Sequence, residues 1–164
     1  MSLTKIVFHW TAGTGIPNAI ERKHYHFLVD SKGDVHTGKF KPEDNINCFD
    51  GKCAEHTGGG NTGAIGLALC GMLGFDEVAK KTRYPLKEAQ FEAACYKAAS
   101  LCKLYGIPVT PMTVFTHYEF GQAHPKTTSR DKIDIVYLPF KPDLPKDLIG
   151  REIRKKVKWY LEKL

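Results

Sequence analysis

The segment KIVFHWTAGTG, residues 5–15, decides the fold prediction, because an apolar run ends there in a histidine and small residues follow. Residues 3–10 predict a β-strand, and the residues after Trp10 predict a turn. Loops beyond strand ends often carry the functional side chains of a domain. His9 is therefore either a hydrogen-bonded strand-end residue or part of a site, and this segment alone favours the first reading.

The rest of the chain alternates strand-like and helix-like segments, which predicts a mixed α/β domain with one central sheet. The run AIGLALCG is almost wholly apolar, as expected of a central strand that is buried on both faces. The predicted elements are a short helix and strand in 18–30, a hairpin turn at 30–33 with its returning strand in 34–40, the central strand in 64–71, a helix in 85–106 and a strand in 113–120 that ends near His117.

Composition and charge narrow the class of protein. The chain has 164 residues, 42% of them hydrophobic, and a net charge of +6, which indicates one globular domain with a basic surface. No apolar stretch reaches membrane-spanning length and the N-terminus lacks a signal-peptide layout, so we expect synthesis in the cytoplasm. The basic segment 151–164 predicts an amphipathic helix that either docks on the domain or contacts an anionic surface. Charge alone suggests nucleic-acid binding, but no motif supports it.

The five cysteines are an odd number, and without a secretory signal they are interpreted mostly as reduced thiols. Cys48 and Cys53 share the loop NCFDGKC. We expect them to be free loop cysteines; the alternatives are a loop-closing disulfide or half of a metal site.

Two histidines stand in matching contexts, each after an apolar strand-like run: His9 in IVFHWTAG and His117 in TVFTHYEF. Lys132 and Asp134 follow, two residues apart, so both would face one side of an extended segment. Two histidines and a carboxylate form an open zinc set. The ligands are far apart in sequence and no local motif such as HExxH is present, so the spacing alone leaves a metal site unproven.

Five blocks in order extend this pattern over residues 4–138: FHWTAG, HYHFLVDSKGDVHTGKF, HTGGGNTGAIGLALCG, THYEFG and KIDI. The order resembles that of the type 2 N-acetylmuramoyl-L-alanine amidases, zinc enzymes that cleave peptidoglycan and include short phage lysozymes and peptidoglycan recognition proteins. The resemblance implies a central mixed β-sheet flanked by helices, with one Zn²⁺ at the sheet edge in a surface groove.

The resemblance also implies roles for six residues: His9, His117 and Asp134 as zinc ligands, Lys132 beside the scissile carbonyl, Tyr25 near the zinc, and His56 in the substrate groove. His24 and His26 flank Tyr25, and strand alternation predicts that both point away from it.

Two features depart from the family pattern. Some branches carry a glutamate as general base in the strand that matches IGLALCG, whereas this chain has Ala68 and Cys70 there. The chain therefore sides with the branch that uses a tyrosine and a lysine, and its general base is not identified. The spacing from His117 to Asp134 is also long, and we expect the insert in 121–130 to rim the groove.

The resemblance implies a single amidase domain over residues 1–164, with a core at about 4–138 and a C-terminal extension, 139–164, that carries the amphipathic helix. The expected activity is zinc-dependent hydrolysis of the bond between N-acetylmuramic acid and L-alanine. The alternatives are a non-catalytic peptidoglycan-binding module of the same fold and a zinc hydrolase of a different amide.

The setting that we expect is a phage or prophage endolysin, with a recycling enzyme or a secreted effector as alternatives. The expected partner is bacterial cell-wall peptidoglycan, reached after release from the cytoplasm. We expect a monomer that makes no stable membrane insertion and does not bind nucleic acid.

Overall fold

The computed structural model describes residues 2–164, and its centre is one five-stranded sheet. The strands are β1 (Lys5–Trp10), β2 (Phe27–Val29), β3 (Val35–Thr37), β4 (Ala64–Leu69) and β5 (Val114–Thr116). Their order across the sheet is β3-β2-β4-β1-β5. β1 pairs in parallel with β4 and β5, β2 pairs in parallel with β4, and only β3 is antiparallel to its neighbour β2. The prediction of a mixed central sheet is confirmed.

The helices are α1 (Ala19–His24), α2 (Glu88–Tyr105), α3 (His117–Ala123) and α4 (Lys146–Leu161), with a short 3₁₀ helix over Pro42–Ile46. The helix predicted over 85–106 forms as α2, and Gly106 ends it in the left-handed conformation with φ of 67°. α2 and α4 pack against each other and cover one face of the sheet. The predicted α/β architecture with flanking helices is thus the observed one.

The alternation of β1 separates the core from the functional side chains. Ile6, Phe8 and Trp10 point into the main core under α2 and α4, whereas Val7 belongs to a second, smaller cluster with Phe115. Because successive side chains of a strand face opposite sides, His9 shares the face of Val7 and lies away from the main core. Its imidazole is nevertheless fully buried.

The predicted strand around His117 is shorter than the apolar run suggests. β5 ends at Thr116, and His117 is the first residue of α3. The hydroxyl of Thr116 accepts a hydrogen bond from the Glu119 backbone N–H at 3.0 Å, and the Glu119 carboxylate accepts one from the Thr116 backbone N–H at 3.0 Å. This capping box starts a helix where the apolar pattern alone predicts continued strand.

The C-terminal segment forms the expected amphipathic helix, and its apolar side is part of the main core. Ile149, Ile153 and Val157 of α4 are buried there. In residues 2–164 no helix is both long enough and apolar enough to cross a membrane.

The loop cysteines differ from the expectation. Cys48 and Cys53 form a disulfide with a Cα–Cα distance of 5.4 Å, so the prediction that they are free is wrong. The loop NCFDGKC turns back on itself: the Gly51 N–H donates to the Cys48 oxygen at 3.2 Å, which brings the two cysteines together. The remaining three cysteines, Cys70, Cys95 and Cys102, are free and buried.

Candidate metal centre

Three side chains from distant parts of the chain converge at the carboxyl ends of β1 and β5. One ligand atom each from His9, His117 and Asp134 lies within 4.8 Å of the others. His9 Nδ1 is 3.0 Å and His117 Nδ1 is 3.4 Å from Asp134 Oδ2. Parallel pairing brings the two histidines together, since the ends of adjacent parallel strands meet at one edge of a sheet. The structure thus brings together the three residues predicted as ligands.

The other ring nitrogen of His9 contacts a second histidine. His9 Nε2 lies 3.1 Å from His56 Nδ1, and His56 Nε2 lies 3.1 Å from the backbone oxygen of Ala64. A carbonyl oxygen only accepts hydrogen bonds, so His56 carries its proton on Nε2 and its Nδ1 is an acceptor. His9 therefore donates from Nε2, and its Nδ1 presents a lone pair toward Asp134.

The Nε2 nitrogen of His117 is also hydrogen-bonded, in this case to a serine. Its Nε2 lies 2.9 Å from the hydroxyl of Ser129, and that hydroxyl donates to the Gly58 oxygen at 2.8 Å. Since the hydroxyl proton is engaged with Gly58, Ser129 accepts from His117 Nε2–H, and His117 Nδ1 is left with its lone pair. Both imidazoles thus have the tautomer that directs Nδ1 toward the carboxylate.

The donor set fits a metal ion on chemical grounds. Burial lowers the pKa of His9 to about 4, so the imidazole is neutral near pH 7. A carboxyl group such as that of Asp134 ordinarily titrates at about pH 4 and is ionised at neutral pH. Two nitrogen lone pairs and a carboxylate then face one another with no proton between them, and a cation relieves this repulsion. Two imidazoles, a carboxylate and an open fourth position are a ligand set typical of catalytic zinc.

Asp134 and Lys132 lie on a loop of turns and not on an extended segment. The Lys132 backbone N–H donates to the Ser129 oxygen at 3.1 Å in one of these turns. The premise of strand-like alternation is wrong, yet both side chains line the same groove. Lys132 is exposed, and its positive charge contributes to the lowered pKa of His9.

A groove of about 590 Å³ is lined by two of the candidate ligands, His117 and Asp134, while His9 is buried next to them. The Tyr25 ring forms one wall, with its centroid 5.1 Å from that of His9. Burial, with a smaller effect of the Asp134 charge, raises the pKa of Tyr25, so the phenol keeps its proton at neutral pH. The residues predicted as catalytic, Tyr25 and Lys132, thus line the same groove as His117 and Asp134.

Two further histidines, His56 and His26, lie near Tyr25 and β4. His56 is 6% exposed, lines the groove as expected and contacts His9. Gly66 makes room for its ring, since a Cβ there would be 2.6 Å from His56 Cγ. Both nitrogens of His56 have partners within the protein, so its contacts support a role in orienting His9, and its predicted role in substrate binding stays a prediction. His26 is buried and structural, as expected, and donates to the Asn45 side-chain oxygen at 2.9 Å.

His24 does not point away from the groove as strand alternation predicts. It ends α1, and strand alternation does not apply to a helix terminus. Its ring lines the groove, and its Nδ1 donates to the Glu55 oxygen at 3.1 Å.

The residues that support the two imidazoles were not among the predicted site residues. Ser129 is fully buried and holds His117, while the Thr57 hydroxyl is 2.8 Å from His56 Nδ1 and 3.3 Å from His9 Nε2. The sequence offers only one signal for each: Thr57 is next to His56, and Ser129 lies within the insert 121–130. In that insert Thr128 lines the groove as expected, but Gly121–Ala123 belong to α3.

The chain matches a known family of enzymes. A family model described as N-acetylmuramoyl-L-alanine amidase matches residues 1–134, most of the chain. None of the curated proteins compared matches the chain.

Several solved structures share the fold at low sequence identity. The amidase LysC from Clostridium intestinale URNW is 16% identical, with a TM-score of 0.55 over 96% of this chain and 87% of its own. AmiD from E. coli, solved with an anhydro-N-acetylmuramic acid peptide as substrate, is 18% identical, with a TM-score of 0.56 over 94% of this chain and 57% of its own. The ectodomain complex of the peptidoglycan recognition proteins LCa and LCx matches at 18% identity and a TM-score of 0.50, over 78% of this chain and 76% of the other.

Proposed function

Because the chain belongs to the N-acetylmuramoyl-L-alanine amidase family, we propose that it is a zinc-dependent peptidoglycan amidase. It hydrolyses the amide bond between the lactyl group of N-acetylmuramic acid and the L-alanine of the stem peptide. The observation that carries the proposal is the convergence of His9 Nδ1, His117 Nδ1 and Asp134 Oδ2 beside an open groove that His117 and Asp134 line.

His9, His117 and Asp134 would hold the metal. Bound there, Zn²⁺ supplies a Lewis acid that polarises the scissile carbonyl and activates a water near neutral pH. The protein keeps the ligands ready for this, because His56 and Ser129 fix both imidazoles in one tautomer.

The two groove residues that act on the substrate have complementary properties. Lys132 is exposed in the groove and supplies a positive charge for the carbonyl oxygen as that oxygen gains negative charge. Tyr25 keeps its phenolic proton, since its pKa is raised, and therefore donates a hydrogen bond from Oη to the reacting group. Ala68 pairs with His9 in the register of β4 and β1, so β4 presents a methyl group and no carboxylate beside this ligand. This favours a mechanism that relies on Tyr25 and Lys132.

The setting that fits best is a phage or prophage endolysin that acts on the wall from outside the cytoplasm. The Cys48–Cys53 disulfide supports this, because disulfides persist in oxidising surroundings. The net charge of +6 supports attraction to a polyanionic wall. Exposed cations of α4 are the strongest candidates for this contact: Arg151, Lys155 and Lys158 lie on its solvent side and form none of the ion pairs seen in residues 2–164.

The test combines metal analysis with cleavage of purified peptidoglycan. We expect about one zinc per chain for wild type, release of stem peptides with a free L-alanine amino group, and loss of both in His117→Ala. His124→Ala is the matched control, because His124 is exposed and stacks on Phe120 outside the groove. Zinc without cleavage would indicate a peptidoglycan-binding module or another amide substrate. Full activity in metal-free protein would refute the proposal.

A further inference from the structure

We propose that Glu119 and Arg154 are positioning residues for the candidate ligand His117. Arg154 lies on α4, beyond residues 1–134 that match the amidase family, so this helix becomes part of the scaffold of the metal centre. The inference rests on the zinc binding proposed above, and on no particular substrate.

α3 needs outside support to hold its direction. His117 is its first residue and the helix is only seven residues long. Isolated helices of this length are not stable in water, because the few hydrogen bonds do not offset the cost of starting the helix. The orientation of His117 therefore depends on the groups that hold the first turn of α3.

A bidentate ion pair holds that turn. Arg154 Nη1 donates to Glu119 Oε1 at 3.0 Å, and Arg154 Nη2 donates to Glu119 Oε2 at 3.1 Å. Arg154 Nη1 also donates to the Val114 backbone oxygen at 3.0 Å, at the start of β5. Glu119 Oε1 in turn accepts from the Thr116 backbone N–H in the capping box. The Arg154 guanidinium thus holds the chain on both sides of His117, at Val114 and at Glu119. The bidentate pair with Glu119 also fixes the direction of the contact.

The backbone of α4 is shaped to admit the Glu119 carboxylate. A Cβ at Gly150 would lie 2.0 Å from Glu119 Oε1, so only glycine allows this approach. A second contact lies one residue closer to the ligand: the Tyr118 hydroxyl donates to Asp147 Oδ1 at 2.8 Å. The Tyr118 backbone N–H also donates to the Asp134 backbone oxygen at 3.0 Å, which ties the turn to the third ligand.

The same helix offers a matched control. Lys156 Nζ of α4 lies 3.0 Å from Glu92 Oε1 of α2, and both side chains are partly buried. This pair also holds α4 on the domain, but it does not touch α3. Loss of the Lys156–Glu92 pair should lower stability alone, whereas loss of the Arg154–Glu119 pair should also disturb the metal centre.

The experiment measures metal binding and stability separately. Zinc dissociation constants are measured by chelator competition on the full chain for wild type, Arg154→Met, Glu119→Gln and Lys156→Met. Visible absorption of the Co²⁺-loaded proteins reports the ligand geometry, and Tm reports stability. We expect zinc binding about 10-fold weaker and an altered Co²⁺ spectrum in Arg154→Met and Glu119→Gln. Arg154→Lys should recover part of the affinity, and Lys156→Met should lower Tm while leaving zinc affinity and spectrum unchanged.

Two results would overturn the inference. One is a zinc affinity and Co²⁺ spectrum that stay at the wild-type values in both Arg154→Met and Glu119→Gln. The other is a Lys156→Met variant that has the same Tm as these variants and loses as much zinc affinity as they do. Failure of the proposed function has a different signature. A wild type that binds zinc but cleaves no peptidoglycan refutes the amidase activity while these readouts still decide the inference. A wild type that binds no zinc refutes both.

Discussion

His117 Nε2 and Ser129 Oγ are 2.9 Å apart, and the Ser129 hydroxyl is already committed as a donor to the Gly58 oxygen at 2.8 Å. This contact determines the tautomer of His117. It obliges His117 to carry its proton on Nε2 and so leaves Nδ1 free to face Asp134. The tautomer of a candidate ligand is thus set by a serine twelve residues along the chain and a loop glycine.

The first prediction concerns this serine. Ser129→Ala removes the acceptor for His117 Nε2–H and lets the ring rotate or change tautomer. We expect the zinc dissociation constant to rise about 10- to 100-fold, measured by chelator competition. Ser100→Ala is the control, because that partly exposed serine bonds only within α2, to the Tyr96 oxygen at 3.0 Å. Equal zinc affinity in wild type and Ser129→Ala would show that the hydroxyl does not orient the ligand.

The second prediction separates substrate activation from metal binding. Lys132→Ala removes a groove cation that is not a ligand, so kcat should fall by about 10²- to 10³-fold while one zinc stays bound. Lys126→Ala, a change of equal charge on the same loop but outside the groove, should keep wild-type turnover. If both variants hydrolyse peptidoglycan at the wild-type rate, Lys132 has no part in the reaction.

The sheet could be predicted from the sequence because its strands are continuous apolar runs. All six residues of β4 are buried, as the run AIGLALCG indicates, and β1 ends one residue after His9. The ligand trio could be predicted only because the block order resembles that of a known family; spacing by itself does not join His9 to Asp134 across 125 positions.

The features that the sequence could not predict lie in segments without a repeating hydrophobic pattern. Ser129 and Asp134 sit in consecutive turns, and whether a turn residue faces inward depends on contacts made far away in the chain. The start of α3 at His117 is a similar case, because two capping hydrogen bonds with Glu119 override an apolar pattern typical of a strand. Cys48 and Cys53 pair because of a local turn, which a rule on cellular compartment does not detect.

The third prediction concerns pH and uses a buried histidine that is not a ligand. Burial lowers the pKa of His26 to about 4, and its Nδ1 accepts from the Gly66 backbone N–H at 2.9 Å. Between pH 6.5 and pH 4 the unfolded chain binds a proton at this site and the folded chain does not, so stability falls as pH falls through that window.

For His26 the loss between pH 7 and pH 5 should be about 2 kcal/mol. It is measured by denaturant unfolding of the metal-free protein at both values. His26→Gln should lose less stability over the same interval, by about that amount. Parallel curves for the two proteins would mean that His26 titrates normally.

The fourth prediction concerns the disulfide. Replacing both Cys48 and Cys53 with serine frees a short loop, which should lower the free energy of unfolding by about 2 kcal/mol. Zinc affinity should not change, because Asn45 still joins the loop to the domain: its side chain accepts from the Ala54 N–H at 2.8 Å and donates to the Ala54 oxygen at 2.9 Å. Reducing agent should destabilise wild type and leave the double variant unaffected. A double variant that binds zinc more weakly would contradict this and show that the disulfide supports His56.

The last prediction concerns the basic side of α4, where Arg151, Lys155 and Lys158 are exposed. If they attract the wall electrostatically, retention of the protein on isolated walls should be strong at about 0.01 M salt and lost at about 1 M, where the screening length falls from about 30 Å to about 3 Å.

Changing the three cations to glutamine should reduce retention at low salt and flatten its salt dependence. The control changes the exposed Lys23, Lys32 and Lys41 to glutamine and carries the same net charge. Equal loss in both triple variants would show that net charge alone matters and that α4 is not a contact surface. Neither triple variant changes Arg154, which holds the first turn of α3. Zinc affinity should therefore be the same in both triple variants and in wild type.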